Sequence, residues 1–189
     1  MGVVGTLLKN RRAGEERLAW NLPALSGPQT LAVTSAAFAD GAAIPVEHAD
    51  KRAGGSSQSP PLSWTAPPPG TAELLLVIED IDAPTSAPFV HCVALISTQA
   101  VASLGPGALG AERPADGVRV FRSGMGRGYL GPAPIKGHGP HRYVFQVFAL
   151  AGPALAAAAA AEGAKPRVLL GAIAGPVLAR GRLTGVFER

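Results

Sequence analysis

Three almost continuous apolar stretches, each bounded by Gly, Pro or charged residues, predict the main strands of the fold. They cover residues 73–80 (ELLLVIED), 89–96 (FVHCVALI) and 143–150 (YVFQVFAL). The first run is typical of a strand that is covered on both faces. In the third run the odd and the even positions are both apolar, so we expect this strand to lie inside a sheet rather than at its edge.

The remaining pattern predicts shorter extended segments separated by turns. Residues 31–35 and 182–188 read as two short strands. Residues 59–64 (SPPLSW) are too rich in proline for a helix or a central strand. Residues 103–141 are dense in Gly and Pro and are expected to form a long loop with little regular structure, of the kind that is often functional.

Two helices are predicted near the C-terminus. Residues 154–162 are nearly all alanine, and residues 167–180 carry an apolar stripe that Gly175-Pro176 should bend or break. The strands come first and the helices last. Strands and helices do not alternate, and a parallel sheet built from β-α-β units is therefore not expected.

The first 28 residues differ from the remainder. Basic residues follow a very short apolar run, which is the reverse of the order in a signal peptide. We interpret residues 1–28 as an N-terminal extension, either a partly ordered tail or a short amphipathic helix, and residues 29–189 as one domain.

Composition narrows the class of protein. Of 189 residues, 47% are hydrophobic and 16% are charged, which is typical of a globular fold, and 24 Gly with 18 Pro require many turns. The net charge of +4 is scattered, so nucleic-acid binding is not expected. The single cysteine, Cys92, favours a reducing compartment and therefore a cytoplasmic location.

Candidate chemistry gathers at the predicted strand ends. Asp80 and Asp82 stand just before Pro84, His91 lies in the second strand beside Phe89 and Val93 with Cys92 opposite, and His141 and Tyr143 share a face of the third strand. Each feature has a simple structural explanation as a turn cap, a buried histidine or a turn. Their combination favours a pocket.

Carboxylates beside imidazoles fix the ring tautomer and favour the charged imidazolium form. Together with a tyrosine hydroxyl and the backbone amides of glycine-rich turns, such rings make a pocket for phosphate, sulfate or carboxylate. Anion binding should weaken as the histidines lose their protons with rising pH.

The same segments resemble the signature blocks of the phosphatidylethanolamine-binding protein family, most closely its bacterial branch of Raf kinase inhibitor-like proteins. The blocks are Asp80-x-Asp-Ala-Pro84, His91 and Gly139-Pro-His-Arg-Tyr143, with further matches at 59–64, 128–132 and 183–185. The sequence departs from the family at Cys92, where tryptophan is usual, and at residues 133–135 and 175–176.

The resemblance implies a mostly β fold, with a large antiparallel sheet packed on a smaller one and helices near the C-terminus. It also implies a cis peptide bond before Pro84. The family's pocket for phosphate-like headgroups would be lined here by Asp80, Asp82, Pro84, His91, Gly131, Pro132, His141 and Tyr143.

The expected function is binding of a small anion or a phosphorylated, phosphoethanolamine-like headgroup, without a cofactor and without a catalytic role. The resemblance leaves open a kinase or protease as a regulated partner, a peripheral membrane contact and a homodimer. Two alternatives use the same residues. One is a hydrolase of unknown substrate that uses the same pocket, although no spacing in the sequence supports Ser123 as a nucleophile beside His141, and the other is a metal site made by His91, His141 and an aspartate.

Overall fold

The computed structural model of the chain describes residues 2–98, 103–154, 163–173 and 175–189. These ranges contain two α-helices, ten strands and several short turns of 3-10 helix. The helices are α1 (Val3–Leu8) and α2 (Pro166–Ala172). The strands are β1 (Val33–Thr34), β2 (Leu62–Trp64), β3 (Glu73–Asp80), β4 (Phe89–Ser97), β5 (Ser103–Leu104), β6 (Val118–Val120), β7 (Arg122–Ser123), β8 (Gly126–Arg127), β9 (His141–Leu150) and β10 (Val177–Phe187).

Five strands form the large sheet, in the order β10-β9-β3-β4-β6, and every neighbouring pair is antiparallel. The apolar runs of β3, β4 and β9 occupy its interior, so the three predicted strands are confirmed, as is the burial of both faces that was predicted for residues 73–80 and 143–150. At one end of the sheet, Asp80 of β3 stands between Phe89 of β4 and Tyr143 of β9. This end carries the candidate site.

The inner face of the large sheet packs on a smaller sheet of three strands, in the order β1-β2-β5. Trp64 and Leu62 of β2 meet the inner side chains of β3 and β9, such as Leu76 and Phe145, in one buried cluster. Burying apolar side chains of this size contributes roughly 1.5–3 kcal/mol each. The predicted architecture of a large antiparallel sheet on a smaller one is confirmed.

The outer face of the large sheet is covered by the two ends of the chain. Leu18, Trp20 and Leu25 from the N-terminal segment, and Leu169 and Leu170 from α2, are buried in the second apolar cluster. The side chain of Glu79 is fully buried on this face, where it accepts hydrogen bonds from the amide of Ala19 and from Gln146 and pairs with Arg167. The N-terminal segment therefore contributes to the core, and a domain boundary at residue 28 stays a prediction.

Several predicted elements have different bounds in the structure. Residues 167–180 do not form one helix, because α2 ends at Ala172 and the chain enters β10 at Val177. Strand β10 thus has 11 residues and replaces the short final strand predicted at 182–188. Strand β2 is the middle strand of the small sheet, although the proline-rich segment that contains it was not expected to supply a central strand. Its prolines precede the paired residues, so they remove no hydrogen bond between strands.

The predicted long loop at 103–141 contains the four short strands β5 to β8. Most of the predicted alanine-rich helix at 154–162 lies outside the described residues. In the part of the chain that the structure describes, neither helix is long or apolar enough to cross a membrane.

Candidate ligand-binding site

A cavity of about 300 Å³ opens at the end of the large sheet where Asp80, Phe89 and Tyr143 stand side by side. Its polar residues are Asp80, His91, His141, Tyr143 and, at the rim, Thr85 and Arg52. Its other lining residues are Ala83, Pro84, Phe89, Met125, Leu130, Gly131, Ala133, Pro134 and Ile135. Polar groups therefore lie among mostly apolar walls, as in many small-molecule sites.

Asp80 and His141 form the strongest polar contact at this cavity. The Oδ2 atom of Asp80 lies 2.7 Å from Nδ1 of His141, and its Oδ1 atom accepts a hydrogen bond from the amide of Asp82 at 2.8 Å. The other ring nitrogen of His141, Nε2, lies 2.6 Å from Nδ1 of His138. Both nitrogens of His141 are engaged within the protein, so the ring presents its edge and face to the cavity.

His91 reaches the cavity through an irregularity in β4. Ile78 of β3 faces Cys92, and the next residue, Glu79, faces Val90, so His91 is an additional residue in a β-bulge. A bulge of this type redirects a side chain. His91 therefore shares the inner face with Cys92, and the prediction that it points with Val93 and away from Cys92 is wrong, because the simple alternation of a strand fails at the bulge.

The surroundings of His91 favour its neutral form. Its Nδ1 atom lies 2.7 Å from the carbonyl oxygen of Leu130, which makes Nδ1 the donor. Burial lowers the pKa of His91 below its ordinary value, against the opposing effect of Asp80. These surroundings disfavour the imidazolium that was expected at this position. The neutral ring offers Nε2 as an acceptor, and its edge packs on the ring of Tyr143 at 5.0 Å between centroids.

Tyr143 supplies a buried hydroxyl group to the cavity. Its oxygen forms no hydrogen bond with any residue that the structure describes, although the nearby backbone amide of Ala133 acts to lower its pKa. Burial raises the pKa of this hydroxyl far above its usual range. The group therefore stays protonated and can donate a hydrogen bond.

Asp82 does not line the cavity, contrary to the prediction from its spacing. Strand β3 ends at Asp80, so the rule that positions i and i+2 share a face does not extend to Asp82. Its carboxylate instead accepts hydrogen bonds from the amide, Nε and Nη2 of Arg142, all at 2.8 Å, and pairs with Arg12 at 3.0 Å. Burial alone would raise the pKa of Asp82, but the bonds from Arg142 and Arg12 lower it to about 2.

Three further predicted residues shape the walls of the cavity and supply no polar side chain to it. They are Pro84, Gly131 and Pro132. The peptide bond before Pro84 is trans, so the expected cis bond is wrong. The hydrogen bond from the amide of Asp82 to Asp80 turns the chain there without it. A side chain at Gly131 would clash with the backbone of Asp50, and Pro132 is not itself a lining residue. Its carbonyl accepts a hydrogen bond from the Asp50 amide at 3.0 Å.

Two residues of the site were not predicted. Arg52 stands at the rim of the cavity, where Asp50 accepts a hydrogen bond from its Nε at 2.8 Å. This hydrogen bond from Arg52 lowers the pKa of Asp50. His138 is buried and contacts the ring nitrogen Nε2 of His141 without lining the cavity itself. The sequence signal for His138 was its place three residues before His141, whereas Arg52 lies in a polar loop that gives no such signal.

The positions of Ser123 and of the metal-binding residue types can be compared with the two alternative functions, a hydrolase and a metal site. Ser123 is buried but does not line the cavity, and both nitrogens of His141 are bonded, so the two are not arranged as a nucleophile and its base. Among the described residues, no group of three or more His, Cys, Asp or Glu side chains is placed to hold a metal ion.

Comparison with known proteins assigns the family. The profile described as phosphatidylethanolamine-binding protein matches residues 34–188, which include every residue of the cavity. The chain belongs to the phosphatidylethanolamine-binding protein family. The match begins after the first 33 residues, so α1 and the segment that follows it lie outside the family region.

Relatives and a solved structure support the assignment to the phosphatidylethanolamine-binding protein family. The chain is 37% identical to the putative lipoprotein LppC of Mycobacterium tuberculosis over 85% of this chain and 73% of that protein. It is 40% identical to phomoidride biosynthesis cluster protein B of a fungus, over 51% of this chain and only 50% of that protein. The crystal structure of YbcL from E. coli, described as a new member of the mammalian family, superposes with a TM-score of 0.71 at 26% identity, over 84% of this chain and 98% of that one.

One prediction is contradicted by these relatives. A cytoplasmic location was expected from the single cysteine and the basic N-terminus. The LppC relatives from Mycobacterium tuberculosis are named putative lipoproteins, a class that is anchored to membranes. The absence of disulfides does not identify a compartment, since a domain of this size can fold without them.

Proposed function

We propose that the cavity binds a small anionic molecule, of which a phosphate or a phosphorylated headgroup is the chemical type. The observation that carries this proposal is the hydroxyl group of Tyr143, which is buried at the cavity and has no hydrogen-bond partner among the described residues. Buried polar groups in proteins are nearly always paired. A ligand oxygen that accepts from this hydroxyl would satisfy it.

The other polar groups support the same ligand. Arg52 places a cation at the rim of the cavity, and its side chain is 57% exposed, so it can turn toward a bound anion. The neutral ring of His91 offers an acceptor for the remaining proton of a hydrogen phosphate. The apolar walls, including Phe89, Met125 and Ile135, fit a carbon chain attached to the headgroup.

The proposal is tested by calorimetric titration of phosphate and phosphoethanolamine into the wild type and two tyrosine variants. Tyr143→Phe should weaken binding roughly 10–100-fold, the effect of losing one hydrogen bond to a charged group. Tyr129→Phe is the matched control. Tyr129 is also buried, and its hydroxyl donates to the carbonyl oxygen of His48 at 2.9 Å, away from the cavity.

Binding should be retained in Tyr129→Phe. The proposal is wrong if neither compound binds the wild type saturably, or if both tyrosine variants bind as the wild type does.

A further inference from the structure

A chain of three hydrogen bonds runs from the cavity to the N-terminal segment. Asp80 Oδ2 lies 2.7 Å from Nδ1 of His141, and Nε2 of His141 lies 2.6 Å from Nδ1 of His138. Nε2 of His138 then lies 2.8 Å from the carbonyl oxygen of Leu8 and 3.2 Å from that of Arg11. A carboxylate stands at one end of the chain and backbone carbonyls stand at the other.

Both ends of this chain are acceptors, and that fixes the number of hydrogens. Three hydrogen bonds in a row need three hydrogens, one for each. A carboxylate and two neutral imidazoles bring only two. The group formed by Asp80, His141 and His138 therefore holds one additional hydrogen, and its net charge is zero rather than −1.

The neutral tautomers do not provide another solution. If His138 donated from Nδ1, the lone pair of its Nε2 would face the carbonyl oxygens of Leu8 and Arg11. If His141 donated from Nε2, the lone pair of its Nδ1 would face the carboxylate of Asp80. With only two hydrogens, one of the three short contacts must therefore join two lone pairs and would lengthen.

We propose that His138 is a positioning residue that sets the charge of the cavity, by sharing the additional hydrogen with His141. This inference rests on the proposed function, because the charge on His141 matters most when the ligand is an anion. With the additional hydrogen in place, the negative charge of Asp80 is balanced at the cavity wall. Without the additional hydrogen, a bound anion would face a cavity wall that carries a net negative charge.

Other charged or titratable residues lie around the histidine pair. From the N-terminal segment, Arg12 donates to the carbonyl oxygens of Pro140 and His138 and pairs with Asp82. The remaining charged or titratable neighbours are Asp80 on β3, His91 on β4, Arg142 on β9, and Arg11 and Lys136 in the flanking segments.

The N-terminal segment holds His138 in this position. Helix α1 lies directly on residues 136–138, and a side chain at Gly5 would clash with the carbonyl oxygen of Lys136 and approach the amide of His138. The close approach requires glycine. The two carbonyl oxygens that contact His138 belong to Leu8, the last residue of this helix, and to Arg11, three residues later. The protonation of the cavity wall is thus coupled to the docking of residues 2–11.

The first test is nitrogen-15 NMR of the histidine rings without a ligand. At about pH 6 the wild type should show three hydrogens on the four nitrogens of His138 and His141, and the two rings should lose one hydrogen together as the pH rises. In His138→Asn, which keeps an uncharged donor near the position of Nδ1, His141 should carry a hydrogen on Nδ1 alone. The control His48→Asn removes another buried histidine and should leave the pair unchanged.

The second test measures the affinity for inorganic sulfate, whose charge is constant across this pH range. In the wild type the affinity should fall at the pH where the pair loses its hydrogen. In His138→Asn it should be roughly tenfold weaker at about pH 6 and nearly independent of pH, the size expected for one charge at short range. Gly5→Ala should act in the same direction, whereas Val4→Ala, an exposed residue of the same helix, should not.

The two tests separate the two ideas. Only two hydrogens on the pair down to about pH 5 in the wild type would overturn the role of His138, even if sulfate binds. Three hydrogens without any binding of sulfate or phosphate would uphold the shared hydrogen and overturn the proposed function instead. Equal pH profiles for the wild type and His138→Asn would also contradict the inference.

Discussion

Asp80 and Asp82 lie two residues apart, yet the structure places them in two different surroundings. The carboxylate of Asp80 lines the cavity and contacts an imidazole, His141. The carboxylate of Asp82 faces away from it and is held by two guanidinium groups, those of Arg142 and Arg12. One carboxylate is hydrogen-bonded to a pair of histidines, and the other is paired with two permanently charged arginines.

The difference between the two surroundings follows from the residues that contact each carboxylate, since both residues are aspartates. Guanidinium groups stay charged at all relevant pH values and bind a carboxylate through two parallel hydrogen bonds. Imidazoles exchange hydrogens in the physiological range. The first arrangement suits stability, since it ties β9 and the N-terminal segment to the end of β3. The second suits a ligand site, since its charge can adjust to what binds.

The largest effect that separates the two regions is expected from Asp82→Ala. The variant leaves the Nε and amide of Arg142 and the charge of Arg12 without their acceptor. We expect the free energy of unfolding to fall by about 3 kcal/mol, the low end for breaking a buried ion pair, because both arginines are partly exposed. Urea denaturation measures this directly.

Asp116→Ala, which removes an exposed carboxylate, is the control and should change the free energy of unfolding by less than about 0.5 kcal/mol. Phosphate affinity should change far less in both variants than in Tyr143→Phe, at temperatures where they remain folded. A loss of phosphate affinity in Asp82→Ala that matches the loss in Tyr143→Phe would remove the distinction between the two regions.

A smaller effect on the free energy of unfolding is expected when the pH is lowered. The pKa of Asp82 is lowered from 3.8 to about 2 in the folded protein. The unfolded chain therefore binds more protons between these values. The stabilisation is present above pH 3.8 and is lost as the pH falls toward about 2. It amounts to at most about 2 kcal/mol, because the exposed sides of the arginines are screened by solvent.

The gap in free energy of unfolding between the wild type and Asp82→Asn should accordingly narrow from about pH 5 to about pH 2. A gap that stays constant over this range would mean that the arginines do not hold the carboxylate in its charged form.

The fold could largely be predicted from the sequence where a single physical cause determines an element. Strands β3, β4 and β9 are buried on both faces, so their apolar runs identify them without any knowledge of their neighbours. The start of β10 could not be found in this way. The stripe of Leu169, Ile173 and Val177 is compatible with a helix, and only the pairing of β10 with β9 shows that the chain becomes extended at Val177.

The candidate site was predicted in part for the same reason. Spacing along a strand brought His141 and Tyr143 together correctly, because β9 is regular there. It failed at His91, where a bulge adds one residue, and at Asp82, where the strand has already ended. It also gave no partner for His138, since the carbonyl oxygens that fix its role come from Leu8 and Arg11, more than a hundred residues away.

The central claim is that the side of Asp80 binds the ligand and the side of Asp82 does not. It is tested most directly by two variants of neighbouring residues on β9. His141 faces the cavity, and Arg142 holds Asp82 on the opposite side. Phosphate is titrated by calorimetry at about pH 6 into His141→Gln and Arg142→Gln. We expect His141→Gln to bind phosphate at least roughly tenfold more weakly than the wild type and Arg142→Gln to bind as the wild type does. Equal affinities in the two variants, or a loss confined to Arg142→Gln, would contradict it.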